Sequence, residues 1–176
     1  MKKVFFLIGL LVISACGVKE GFTSEIRTQY NLTTDKELKK VQFYTSETII
    51  LTRSKASGNS ATDDDGTLVS SQNSEQDRII IPVNTKCVCE SIGAAGELLV
   101  RFEVGPGKVL PFAERKNQNN RYYFSPEWIA DKGGKINYGN EVFYATQGSG
   151  SAFLMVKRKN LQKTKRRDRV VKGMKV

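Results

Sequence analysis

A mainly β domain, a small antiparallel barrel or sandwich with one short helix, is the fold class this sequence predicts. Three observations carry it: short runs with apolar side chains on alternate positions, glycine-bearing turns between those runs, and few segments with helical character. The 176 residues are 39% hydrophobic, which leaves room for one domain with its own core.

The first strand expected is 41–53 (VQFYTSETIILTR), where Val41, Phe43, Ile49 and Leu51 share one parity and so one face, with Thr45-Ser46-Glu47 as the place where it kinks or divides into two short strands. Composition then shifts sharply. Residues 54–77 are mostly Ser, Asn, Asp, Gly and Thr, and their five acids against Lys55 give −4, so a disordered acidic loop is expected. Its Asp63-Asp64-Asp65-Gly66 does not read as a calcium loop. With Gly66 at position six, positions one and twelve fall on Ala61 and Gln72, which are not suitable ligands.

The strongest structural expectation is a hairpin. Residues 78–92 (RIIIPVNTKCVCESI) place Ile81, Val83, Cys87 and Cys89 on one parity, with Pro82 suggesting an edge or a bulge. A GAAG turn follows, and 97–104 (ELLVRFEV) then alternates cleanly. Residues 108–112 read as a short edge piece and 121–124 (RYYF) as an aromatic strand. Ser125-Pro126-Glu127-Trp128 has the cap and first-turn proline of a short helix, which Gly133-Gly134 would end. Gly139-Asn140 joins two strands in a second hairpin, and 151–159 (SAFLMVKRK) is the last strand. In strand lengths and turn spacing, the part from Arg78 onward resembles an SH3-like barrel, a fold-level likeness that implies no activity.

The chain begins MKKVFFLIGLLVISAC. Two lysines precede an apolar run too short to span a bilayer, which needs about 20 residues, but suited to a signal-peptide core. Ile13-Ser14-Ala15-Cys16 resembles the lipobox of bacterial lipoproteins. That resemblance implies that residues 1–15 are removed and that Cys16 carries a diacylglycerol and an N-acyl chain. Gly17, where some lipoproteins have Asp, resembles the sorting signal for the outer membrane, with the domain facing the periplasm. Residues 16–40 are then the lipidated N-terminus and a tether, 41–156 the β-domain, and 157–176 a basic C-terminal extension.

Formal charge is +10, of which Lys2 and Lys3 supply two, and there is no histidine. The absence of histidine excludes Ser-His-Asp and Cys-His catalysis and the usual zinc sites. Cys87 and Cys89 remain as a possible redox or metal pair. In a strand their side chains stand about 6.7 Å apart, too far for a disulfide, so two small core side chains are expected. The aromatic group Tyr122, Tyr123, Phe124, Trp128, Tyr138, Phe143 and Tyr144 is either core or ligand surface, with core favoured. Charge concentrates in the last twenty residues, whose ten basic side chains against Asp168 give +9. Lys157, Arg158, Lys159, Lys163, Lys165, Arg166, Arg167 and Arg169 are the candidate partner- or anion-binding residues, because a clustered field attracts anionic surfaces. Nucleic acid is not expected for a chain outside the cytoplasm.

The expected function is a non-catalytic, membrane-anchored envelope module that binds or scaffolds other envelope proteins, without metal or non-covalent cofactor. In plan it is similar to the accessory lipoproteins of envelope-spanning machines such as secretion systems. The alternatives are a module binding anionic lipid or glycan through the C-terminus and, last, a thiol oxidoreductase using Cys87 and Cys89.

Overall fold

The computed structural model of the protein describes residues 17–62 and 68–165. Within them the chain is mainly β, with twelve strands in two antiparallel sheets and three short helices. In chain order the strands are β1 (Lys19–Gly21), β2 (Gln42–Thr45), β3 (Ile49–Thr62), β4 (Leu68–Ile81), β5 (Lys86–Ile92) and β6 (Leu98–Arg101). They continue with β7 (Val109–Arg115), β8 (Arg121–Phe124), β9 (Glu127–Ile129), β10 (Gly133–Tyr138), β11 (Glu141–Ala145) and β12 (Leu154–Lys157). The helices are α1 (Ser24–Gln29), α2 (Asp35–Leu38) and α3 (Arg158–Lys165).

The larger sheet has the order β1-β12-β2-β5-β6-β7-β8, the smaller β4-β3-β11-β10-β9. The larger one curls until β8 meets the chain beside β1 and β12, where Tyr122 donates to the Phe22 carbonyl at 3.2 Å and Phe124 to Ala152 at 2.8 Å. Single bridges, Thr23 with Arg121 and Tyr123 with Phe153, span that gap, so the sheet is not a closed barrel. One apolar cluster draws on both sheets, with Phe43, Leu98, Val100, Leu110, Phe112, Phe124 and Leu154 from the larger and Ile49, Leu51 and Phe143 from the smaller. Val41, Phe43, Ile49 and Leu51 are all buried, as the alternation predicts, but 41–53 is not one strand: it divides between Thr45 and Ile49 into β2 of the larger sheet and β3 of the smaller. The hairpin around the GAAG turn is present as β5–β6, with a bulge between Cys89 and Ser91.

Four expectations are corrected. Residues 17–40 are not a tether but part of the domain: β1 pairs with β12, and Phe22, Ile26, Leu32 and Leu38 are buried. Phe22 packs edge-on to Phe43 at 5.0 Å, and Arg27 of α1 donates to the Tyr122 hydroxyl at 2.9 Å. Thr23 caps α1 through the Ile26 N–H, and the Glu37 carboxylate accepts from the Thr34 and Thr33 N–H groups, which holds its pKa below the usual range.

Second, residues 54–77 are not a loop where the chain is described. β3 and β4 pair without a break from Ile49↔Ile81 to Thr62↔Leu68. Only Leu51 and Thr52 of β3 also pair with β11, so from Arg53↔Asp77 outward the hairpin is a two-stranded ribbon about 30 Å long. Arg53 anchors its root, paired with both Asp77 and Glu141 and set 5.1 Å over the Phe143 ring.

Third, 125–128 does not open a helix, because Glu127 and Trp128 pair with Lys135 and Gly134 in a strand. Fourth, 109–115 lies between β6 and β8 rather than at an edge. Pro111 is tolerated there because the β8 ladder starts one residue later, at Phe112↔Phe124.

Candidate functional site

The expected site residues fall into three groups. Cys16, Arg166, Arg167 and Arg169 lie outside the described residues. Lys157 ends β12, and Arg158, Lys159, Lys163 and Lys165 belong to α3, which is seated on the domain by the buried Leu161. Residues 158–165 are therefore a docked helix rather than a loose extension. Arg158 is already paired, donating to the two Glu20 carboxylate oxygens at 2.6 and 2.8 Å, which raises its pKa. Cys87 and Cys89 are free, buried thiols on one face of β5. Burial pushes both up, Cys89 to about 11, so the thiolate that redox chemistry needs is disfavoured.

A cleft of about 670 Å³ that sequence reasoning did not locate is built from segments distant in the chain. Trp128 projects from β9 and is 42% exposed, whereas Tyr122, Phe124, Tyr138 and Phe143 of the same aromatic group are buried. Its indole lies on a bed of two glycines. A Cβ at Gly150 would come within 2.7 Å of the Trp128 Cζ2, and one at Gly134 within 2.3 Å of the Pro126 Cγ and 3.3 Å of the Trp128 Cζ3. Neither glycine has a positive φ, so close approach of the ring and not backbone conformation requires them.

Gly150 belongs to a 3-10 turn, Gln147–Ser151, pinned to β3 by the buried Ser149, whose Oγ accepts from the Ile50 N–H at 3.0 Å. Opposite Trp128 stand Tyr123 of β8 and Phe153, with ring centroids 5.4 Å apart. Each carries a stacked guanidinium, Arg115 at 4.7 Å from Tyr123 and Arg121 at 4.8 Å from Phe153. Arg115 is held by its bond to the Phe124 carbonyl, 3.2 Å. The rim adds Glu47, hydrogen-bonded by the Ser151 hydroxyl, and the exposed amides of Gln118 and Gln147.

Apolar ring faces bordered by a guanidinium, a carboxylate and amides suit a ligand with both flat apolar and hydrogen-bonding surface. Among the described residues no group of three or more His, Cys, Asp or Glu side chains is placed to hold a metal ion. No helix among them is long and apolar enough to cross a membrane. Comparison with family models, curated proteins and solved structures returns no match.

Trp128 was legible as an aromatic but not as an exposed one. The signal available was its company: a single tryptophan in the chain and a Gly-Ser-Gly turn twenty residues away. Glu47, Arg115, Gln147 and Phe153 gave none, because only the curl of the sheet brings them together.

Proposed function

We propose that this chain is a non-catalytic, lipid-anchored module of a bacterial cell envelope, which binds or scaffolds another envelope component as an accessory subunit of an envelope-spanning assembly. The single observation that supports it best is the half-exposed Trp128, held rigidly on Gly134 and Gly150 beside Tyr123 and Phe153. A ring fixed in place but left open to solvent loses little entropy when a partner covers it. The β3–β4 ribbon supports the scaffolding part, since β4 lies at the edge of its sheet and offers backbone groups for strand addition. The lipobox-like start, MKKVFFLIGLLVISAC, supports the anchor.

The experiment is a crosslinked pull-down from intact envelopes, comparing the full chain with Trp128→Ala. A defined set of proteins, depleted by the substitution, is the expected result. The same set recovered in full with Trp128→Ala would remove the cleft from the reading. Recovery of lipid or polysaccharide alone would move the function to an anionic-ligand module. Truncation before Arg158 is a poorer probe, because it also removes the buried Leu161.

A further inference from the structure

The outer face of the larger sheet carries a basic cluster that folding alone does not favour. Register places Gly21, Met155, Tyr44 and Lys86 in one row across β1, β12, β2 and β5. Two residues along, and so on the same face, Lys19 of β1 stands directly opposite Lys157 of β12. Like charges facing each other across a strand pair repel and cost stability. Here both ammonium groups are gathered over one ring, with Lys19 Nζ 4.3 Å and Lys157 Nζ 5.6 Å from the Tyr44 centroid. Lys86, exposed, lies across from Tyr44 on the same face. The nearest acid in β1, Glu20, is taken up by Arg158 and does not neutralise the cluster. Lys19 also donates to the Asn84 side-chain oxygen at 2.8 Å, which fixes it in place.

The position of this cluster relative to the start of the domain identifies its partner. Gly17 packs against Lys159, since a Cβ there would meet the Lys159 Cε at 2.9 Å. Cys16 precedes Gly17, and the three residues from Cys16 to Lys19 reach at most about 10 Å. That is about one Debye length at 0.1 M salt. Because 17–40 is folded into the domain, no slack separates a lipid on Cys16 from the β1–β12 edge.

We infer that the face formed by Lys19, Lys86 and Lys157 around Tyr44, extended by Lys159, docks on the anionic lipid headgroups of the membrane that holds Cys16. The inference rests on the lipid-anchor reading above. The acyl chains give attachment; the lysines give orientation, holding the sheet face against the headgroups so that the domain does not swing on its anchor. β12 runs from this face at Lys157 back to Leu154 and the Phe153 wall of the cleft. Phe153 and Lys157 share the parity opposite the buried Leu154 and Val156, so the Phe153 wall of the cleft lies on the same side of the sheet as the lysines, at the other end of β12. Repulsion between Lys19 and Lys157 is relieved when a phosphate headgroup sits between them.

The test uses the full chain as isolated from membranes, placed in vesicles of phosphatidylcholine alone or mixed with phosphatidylglycerol. Acylation rates of individual lysines are read by peptide mass spectrometry, with the exposed Lys132, in the β9–β10 turn of the smaller sheet, as internal reference. Anionic vesicles should slow modification of Lys19, Lys86 and Lys157 by about fivefold relative to Lys132. High salt should reverse the protection, and neutral vesicles should give none. Equal rates on both vesicle types overturn the inference. Equal protection by inorganic phosphate without vesicles also overturns it, in favour of a small-anion site. The mass of the N-terminal peptide separates the two readings. An unmodified Cys16 with protected lysines removes the anchor and keeps the face, whereas an acylated Cys16 with unprotected lysines does the reverse.

Discussion

The two ends of β12 use the same chemistry, a cation over an aromatic ring, to opposite effect. At the cleft end Arg115 and Arg121 each stack on their own ring, Tyr123 and Phe153. At the other end Lys19 and Lys157 crowd one ring, Tyr44. A guanidinium is planar and weakly hydrated, so stacking fixes it and shapes a wall; an ammonium is a compact, strongly hydrated point charge that keeps its field available. The first arrangement builds a surface for recognising shape. The second concentrates positive charge at some cost to the fold.

The most damaging way to break this contrast is to loosen the strand that joins its two halves. Leu154 is wholly buried in β12, and Leu154→Ala should cost about 2–5 kcal/mol in denaturant unfolding. Both the lysine protection and the cleft should weaken together. A smaller change confines the damage to one end. Gly150→Val forces a side chain into the Trp128 indole and should cost about 1–3 kcal/mol. As Trp128 is the single tryptophan, its emission should shift to the red while lysine protection on anionic vesicles persists.

Lys157→Glu sharpens the comparison from the other end. It turns a repelling cross-strand pair into an attracting one, so stability should rise by about 0.2–1 kcal/mol. Vesicle docking should fall at the same time. A loss of both would mean that the lysines serve packing and not the membrane.

The smallest expected effect tests charge remote from both ends. Glu103 accepts from Lys108 at 2.9 Å and from the Tyr138 hydroxyl at 3.0 Å, and the bond to Lys108 is the main cause of its lowered pKa. A depressed carboxylate adds stability that is fully present above its ordinary value of 4.5 and fades as pH falls through the folded value. Its side chain is half exposed, so solvent screens much of that gain. Glu103→Gln should remove only a small part of the loss of Tm seen below pH 4.5, leaving the neutral-pH behaviour of both ends of β12 unchanged.

How much of this was legible depended on whether one face of each segment met the core. β5 and β6 were readable because their buried and exposed sides alternate at the strand period, and the bounding turn is glycine-marked. The β3–β4 ribbon was not, because beyond Thr52 no third strand among the described residues pairs with it and no apolar alternation is selected. Ser-Pro-Glu-Trp carries a helix-start signal, yet the pairing of Trp128 with Gly134 overrides it, since burying Pro126 and supporting the indole need a flat glycine partner. In residues 17–40 the signal was present and missed: Phe22 stands just before the Thr23 cap, and Ile26 and Tyr30 follow it at helical spacing.

By itself, then, the sequence determined the β class, the cores of most strands, the two glycine-turn hairpins and the burial of Cys87 and Cys89, all consequences of local alternation. It also showed how much positive charge the chain carries and near which end. Only the tertiary structure decided that β1 pairs with β12. That pairing sets Lys19 against Lys157 and folds residues 17–40 into the domain. The curl of the sheet likewise decided that Trp128, Tyr123, Phe153 and Glu47 meet. Both are contacts between residues far apart in the chain, chosen by which edges the packed core leaves to be joined, and no local pattern encodes them.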